Sequence, residues 1–128
     1  MFVAVDSGHG IAGFYSLSSF TLTIEELPQE IGKKLPRYDA IPAALIGRLA
    51  RDERVRGQGI GALLLADAVR RILSASQSLA VFAIVVEAKD DRAIRFYENF
   101  GFRRFPLSQN RLFLPAATAV EALKRAAD

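Results

Sequence analysis

The spacing of apolar and polar residues changes several times along the chain, and each change marks an element. Phe2-Val3-Ala4-Val5 is a short apolar run, and Asp6-Ser7-Gly8-His9-Gly10 after it has the turn chemistry of a hairpin. The return strand, Ile11 to Ile24, is rich in Phe, Tyr, Leu and Thr. Leu27 to Leu35 is a polar connection with room for a helical turn, closed by Pro36. Ile41 to Ala50 is apolar almost throughout, as in a strand covered on both faces, with Pro42 near the start, where a strand tolerates it. After a glycine-rich stretch the period becomes helical. Leu64, Ala68 and Ile72 recur every four residues, Leu63, Leu65, Val69 and Leu73 widen the face, and the pattern ends near Ser74 to Ser78.

Leu79 to Val86 predicts a second buried strand. Asp90 or Asp91 caps the next helix, whose Ala93, Ile94, Phe96, Tyr97 and Phe100 form an apolar face before Gly101 stops it. Phe102 to Phe105 and Arg111 to Leu114 flank Pro106 to Asn110 as a final hairpin, and Ala116 to Ala126 makes a terminal helix. This order predicts an α/β domain over residues 1–128, a mixed, mostly antiparallel sheet with helices packed on it.

Composition removes several kinds of chemistry. There is no Cys and one His, so disulfides, a thiol nucleophile and thiolate metal sites are excluded, and a metal centre is not expected. His9 lies between two turn residues, which suits a solvated position more than a general base. No apolar run approaches the ~20 residues of a membrane span, and no basic region with an apolar core opens the chain, so the expected location is the cytoplasm. The net charge is +3, from 17 Lys and Arg against 14 Asp and Glu. Arg strongly outnumbers Lys, which tilts the expected partners toward phosphorylated ligands or nucleic acid.

The candidate chemistry centres on Arg54-Val55-Arg56-Gly57-Gln58-Gly59-Ile60-Gly61, between the apolar strand and the first long helix. Alternating glycines let the backbone approach a ligand, and a helix starting at Gly59 or Ile60 presents unpaired N–H groups to an anion. Glycines alone leave a plain turn as an equal alternative. A P-loop is excluded because no Lys-Ser or Lys-Thr follows, and the G-x-G-x-G spacing departs from the dinucleotide fingerprint.

Arg56-Gly57-Gln58-Gly59-Ile60-Gly61 resembles the Arg/Gln-x-x-Gly-x-Gly/Ala signature of GNAT N-acetyltransferases, and Ala93 to Phe102 resembles that family's A-x-x-F-Y-x-x-x-G-F helix. Gly13 to Ser18, Leu35 to Tyr38, Ile41-Pro42 and Gly47 to Ala50 narrow the resemblance to the acetyltransferase toxins of toxin-antitoxin pairs, over roughly Phe2 to Leu114. The resemblance implies the GNAT fold, in which two central strands splay apart and admit the pantetheine of acetyl-CoA. It implies a pyrophosphate on Arg56, Gly57, Gln58, Gly59, Ile60, Gly61 and Ala62, backbone contacts at Leu49, Ala50 and Arg51, and further cofactor contacts at Asp90 and Ala93.

Periodicity alone makes Tyr97 an apolar-face residue; its match to the family tyrosine makes it the acid for the departing thiolate. No general base stands out, and Asp52 and Glu53 read as surface ion pairs with Arg51 and Arg54. An acceptor α-amino group, with a pKa of about 7.7 to 8.0, needs a base less than a Lys near 10.4 does. This agrees with what the toxin resemblance implies, namely acetylation of the amino acid carried on tRNA, with Arg37, Arg48, Arg92 and Arg95 toward RNA phosphates.

The implied partners also include a small ribbon-helix-helix antitoxin, and apolar surface around Phe14, Phe20 or the long helix, uncovered where the family's first elements are missing, leaves room for a second copy of the chain or a partner. Alternatives are a GNAT enzyme acting on a small amine or protein amino group, and an inactive CoA-binding or antitoxin-binding remnant. Two positions depart from the pattern: Asp90 stands where the family usually has Asn, and Arg51 where toxin relatives often have Val. The family also begins with a strand and two helices that wall the acceptor side, whereas this chain starts at what resembles the second strand, so a truncated start or an incomplete acceptor site is expected.

Overall fold

The computed structural model describes residues 2–6, 10–33, 40–51, 60–75 and 81–127. β1 (Phe2–Asp6) and β2 (Gly10–Leu22) are followed by a 3-10 turn (Ile24–Glu26), α1 (Gln29–Gly32) and β3 (Ile41–Arg51). Then come α2 (Ile60–Ala75), β4 (Ala83–Glu87), α3 (Asp91–Phe100), β5 (Arg103–Arg104), β6 (Arg111–Pro115) and α4 (Ala116–Ala127). The described strands form one sheet in the order β1-β2-β3-β4-β6-β5. β3 and β4 are parallel, with α2 between them in the chain, and every other neighbouring pair is antiparallel. The predicted mixed, mostly antiparallel sheet is what forms.

β4 explains why both faces must be covered. Ala83, Ile84, Val85 and Val86 are all fully buried, and they alternate between two cores as the period of a strand requires. Ile84 and Val86 join α2 (Leu64, Leu65, Ala68, Val69, Ile72), α3 (Ile94, Tyr97, Phe100) and α4 (Ala119, Ala122). Ala83 and Val85 join Leu22, Leu27, Ile41, Phe105 and Phe113, with Ile24 and Ile31 packed against them.

Several predicted boundaries move. The return strand stops at Leu22 instead of Ile24, because the Thr23 amide donates to Glu26 Oε2 at 3.1 Å in a capping box that starts a 3-10 turn. The fourth strand begins at Ala83, not Leu79; residues 76–80 lie outside the described residues, and Phe82 only bonds backbone to Pro42 and Ala116. In the final hairpin β5 is two residues long, since the Phe102 amide is still held by the Tyr97 carbonyl at the helix end (3.1 Å) and the Phe105 carbonyl already accepts the Ser108 amide of the turn (3.3 Å). Asp90 caps α3 and Gly101 ends it at φ 124°, a conformation that favours glycine.

The pattern of apolar residues did not disclose a bulge. Ser16 pairs with Arg48 and Leu17 with Ile46, so Gly47 is an extra residue in β3. A Cβ on Gly47 would lie 3.0 Å from Ser16 Oγ. The bulge shifts the alternation by one, and Ile46 and Leu49, three apart, both face the helix-side core.

Candidate active site

The site begins where two parallel strands part. β3 and β4 share rungs from Ala43–Ala83 to Ile46–Val86 and none beyond. β3 continues to Arg51, pairing with β2 as far as the Gly13–Arg51 rung, while Glu87, the last residue of β4, pairs with Arg111 of β6. Beyond Ile46, the edge of β3 that faces β4 is therefore open among the described strands. Alternate residues of a strand aim their N–H and C=O groups to opposite sides, so part of the Gly47–Arg51 backbone presents hydrogen-bonding groups to this opening. Leu49, Ala50 and Arg51, the predicted backbone contacts, are all on this stretch. An extended, amide-bearing ligand could pair here as another strand would.

The second component is the start of α2. Ile60 is its first residue and its first turn contains no acidic side chain, so the positive end of the helix dipole is not offset there. Gly61 is buried and Ala62 is exposed. Arg56, Gly57, Gln58 and Gly59 lie outside the described residues, as do Arg37, Asp52, Glu53 and Arg54.

α3 supplies the third. The Asp90 carboxylate accepts the Ala93 amide N–H at 2.8 Å, so both predicted contact residues form the helix cap. One turn further, Tyr97 is buried, with its ring edge-on to Phe96 at 5.2 Å and to Phe102 at 5.6 Å between centroids. Burial pushes its phenol up to about 12 from the ordinary 10.0, so the proton stays on the oxygen throughout the neutral range. Leu49, Ala93 and Phe96 pack against the core that contains Tyr97, so the open strand edge and the candidate acid share one packing environment. Arg92 and Arg95 are exposed on the same helix. Glu87, one residue beyond the last shared rung, is paired with Arg111 at 3.2 Å.

The sequence pattern assigned no role to Tyr15 or Asp67, yet the structure joins them. Tyr15 on β2 is 1% exposed, and its hydroxyl donates to Asp67 Oδ2 on α2, which also accepts from Arg71 Nε at 3.1 Å. Burial, then the Asp67 carboxylate, raises the Tyr15 phenol to about 12. The Tyr15 hydrogen bond in turn lowers Asp67. The one sequence signal was an Asp interrupting the apolar residues 63–69 of α2. Among the described residues no cluster of three His, Cys, Asp or Glu side chains could hold a metal, and no helix is long and apolar enough to cross a membrane.

Comparison with known proteins agrees with this geometry. The acetyltransferase (GNAT) domain family matches residues 1–104. The probable toxin TacT of Sinorhizobium fredii is 32% identical over 120 residues, which cover 88% of this chain and 66% of the relative. The tRNA-acetylating toxin of Mycobacterium tuberculosis is 36% identical over 104 residues, 81% of this chain and 61% of the relative. The chain thus spans slightly less than two thirds of the length of these curated relatives.

Among solved structures, AtaT complexed with acetyl-methionyl-tRNAfMet matches with a TM-score of 0.81 at 33% identity, over 93% of this chain and 70% of that one. AtaTR bound with AcCoA matches at 0.74 (33% identity, 87% of this chain and 65% of that one). A tyrosine-to-phenylalanine AtaT variant bound to the C-terminus of the antitoxin AtaR matches at 0.70 (29% identity, 87% and 62%). A family match over most of the chain, on a sheet whose central parallel strands part as that fold requires, establishes that the chain belongs to the GNAT acetyltransferase domain family.

Proposed function

We propose that this chain carries the catalytic domain of an acetyl-CoA-dependent N-acetyltransferase toxin that acetylates the amino group of an aminoacyl-tRNA and so blocks its use in translation. The observation that carries the reading is the open edge of β3 beyond the Ile46–Val86 rung, next to the core that holds Tyr97. In this reading Leu49, Ala50 and Arg51 hold the pantetheine arm through backbone groups. The segment from Arg56 to Ala62, which runs into the start of α2, holds the pyrophosphate, and the capped start of α3 at Asp90 and Ala93 borders the arm. Acetyl-CoA supplies an activated acyl group, a thioester.

Tyr97 holds its proton at the phenol oxygen and delivers it to the sulfur as the carbon–sulfur bond breaks and the amine nitrogen bonds to the acyl carbon, and the proton that the nitrogen gives up, passed through solvent, restores the phenol. Its raised pKa keeps that proton in place across the neutral and mildly alkaline range in which the acceptor amine becomes neutral enough to attack. An aminoacyl acceptor fits a site for which no general base has been identified, since its amine gives up a proton near ~7.7 to 8.0 whereas a Lys amine does so near ~10.4. Arg92 and Arg95, exposed on the Tyr97 helix, suit RNA phosphates. The relatives support the same substrate and an antitoxin partner, since AtaT is complexed with acetyl-methionyl-tRNAfMet in one structure and bound to the C-terminus of AtaR in another. A tRNA substrate places the reaction in the cytoplasm, and a homodimer is the assembly proposed.

Incubating the protein with labelled acetyl-CoA and a mixture of charged and uncharged tRNA tests this. Label on charged tRNA alone is the expected result. Label on free amines or protein with none on tRNA would overturn the substrate, and bound CoA with no transfer to any acceptor would overturn the activity.

A further inference from the structure

We propose that Tyr15 and Asp67 are positioning residues for the acetyl-CoA site, and that their hydrogen bond sets the spacing between its two ends. The inference rests on the function proposed above, because it takes the start of α2 and the open edge of β3 to be those ends. Tyr15 is the rung partner of Leu49, and its neighbours Phe14 and Gly13 pair with Ala50 and Arg51. β2 is thus the back support of the stretch whose other edge is open. Asp67 lies seven residues into α2 from Ile60, about 10 Å along the axis from the helix start. A single hydrogen bond between residues 52 apart in sequence therefore ties the helix with the anion-attracting end to the strand that backs the open edge.

The apolar contacts of α2 cannot do this alone. Leu64, Leu65, Ala68, Val69 and Ile72 hold the helix on the sheet, but hydrophobic burial is non-directional and tolerates small rotations and slides. A hydrogen bond weakens steeply when its length or angle changes, so it fixes where α2 sits relative to β2, and hence the distance from the helix start to the open edge of β3. The donor is buried and anchored mid-strand, which gives the bond a rigid base. The acceptor oxygen is shared with Arg71 Nε at 3.1 Å, which restricts the carboxylate from a second side. Neither residue touches the reacting atoms in this reading; both act through the elements they join.

The test compares Tyr15→Phe, Asp67→Ala and the conservative Asp67→Asn, which keeps a carbonyl acceptor for the phenol. Affinities are measured by calorimetry for CoA, which spans both ends, and for adenosine 3′,5′-bisphosphate, which occupies only the nucleotide end. The Phe and Ala variants should lose about tenfold in CoA affinity, the size of one hydrogen bond, while adenosine 3′,5′-bisphosphate affinity stays within about twofold. Asp67→Asn should recover most of the loss. Unchanged CoA affinity with a lower melting temperature would overturn the proposal in favour of a bond that only stabilises the fold, and equal losses for both probes would overturn the spacing role. Should the wild-type chain bind no CoA, the proposed function falls, and hydrogen exchange of amides 64–67, hydrogen-bonded within α2, then decides the clamp. Exchange must be faster in Tyr15→Phe than in wild type, and equal rates overturn it.

Discussion

Ile46 and Val86 form the last rung that β3 and β4 share, and the residue after Ile46 is the bulged Gly47. An extra residue bends its strand and increases its twist. The bulge falls where the shared ladder ends, one residue before β4 itself stops at Glu87, and the stretch of β3 beyond it, paired among the described strands with β2 alone, is the centre of the candidate site.

Gly47→Val tests the one contact that a side chain at the bulge would make. Its Cβ would start 3.0 Å from Ser16 Oγ at an otherwise exposed position. A loss of about 1 kcal/mol in urea unfolding is expected, the low end of the overpacking range because a single side-chain atom is crowded, with most of it returned by a second Ser16→Ala change. No recovery in the double variant would place the strain elsewhere than at this contact.

Gly101→Ala tests the other end of the Tyr97 helix. Gly101 has φ 124°, and a Cβ there would meet Arg125 Nη2 at 2.7 Å. The backbone strain alone should cost about 1 to 3 kcal/mol. Adding Arg125→Ala should relieve the contact but not the strain, so the double variant should remain less stable than Arg125→Ala alone when both are measured by thermal unfolding.

These two glycines show what was legible in the sequence and what was not. Gly101 could be read because a helix stop is local, a glycine directly after the apolar face of Ala93 to Phe100. Gly47 could not, because a bulge is defined by the register between β2 and β3, and neither strand alone contains that register. The same division holds for the site. Tyr97 and the segment from Arg56 to Ala62 are contiguous motifs and were visible as a family resemblance, although residues 56–59 lie outside the described residues. The Tyr15–Asp67 bond joins residues on separate elements and left only a weak mark, one Asp on an otherwise apolar stretch of α2. The strand Leu79 to Val86 was overextended at its start because Val81 and Phe82 are apolar for packing reasons, while the ladder to β3 begins only at Ala83.

Arg92 and Arg95 lie three apart on the exposed side of α3, close enough to act on one phosphate track. Reversing either charge, as Arg92→Glu or Arg95→Glu, should raise the KM for charged tRNA and reduce the salt dependence of tRNA binding by about one unit of slope per lost phosphate contact. The affinity for acetyl-CoA should not change. A variant with an unaltered salt slope would remove that arginine from the RNA contact.

Tyr97 makes two predictions that separate its chemistry from its packing. Removing the hydroxyl, as Phe, should lower turnover by roughly 10²- to 10⁴-fold with acetyl-CoA affinity retained, the range for a lost general acid. A fully active Phe variant would leave Tyr97 as a core residue. The second prediction concerns alkaline stability. The folded phenol titrates at about 12, above its ordinary 10.0, because burial disfavours the phenolate. Folding thus favours the protonated form, and the contribution is complete below pH 10 and lost as pH rises through 12. A rise of that size corresponds to about 2 to 3 kcal/mol at most. Urea midpoints measured between pH 8 and 12 should therefore fall less steeply above pH 10 in Tyr97→Phe than in wild type. Some fall should persist in the variant, since Tyr15 is also raised to about 12 and loses its contribution over the same window. Identical alkaline limbs in the two proteins would show that the Tyr97 hydroxyl is already solvated in the folded chain, and would weaken its assignment as an acid held in an apolar setting.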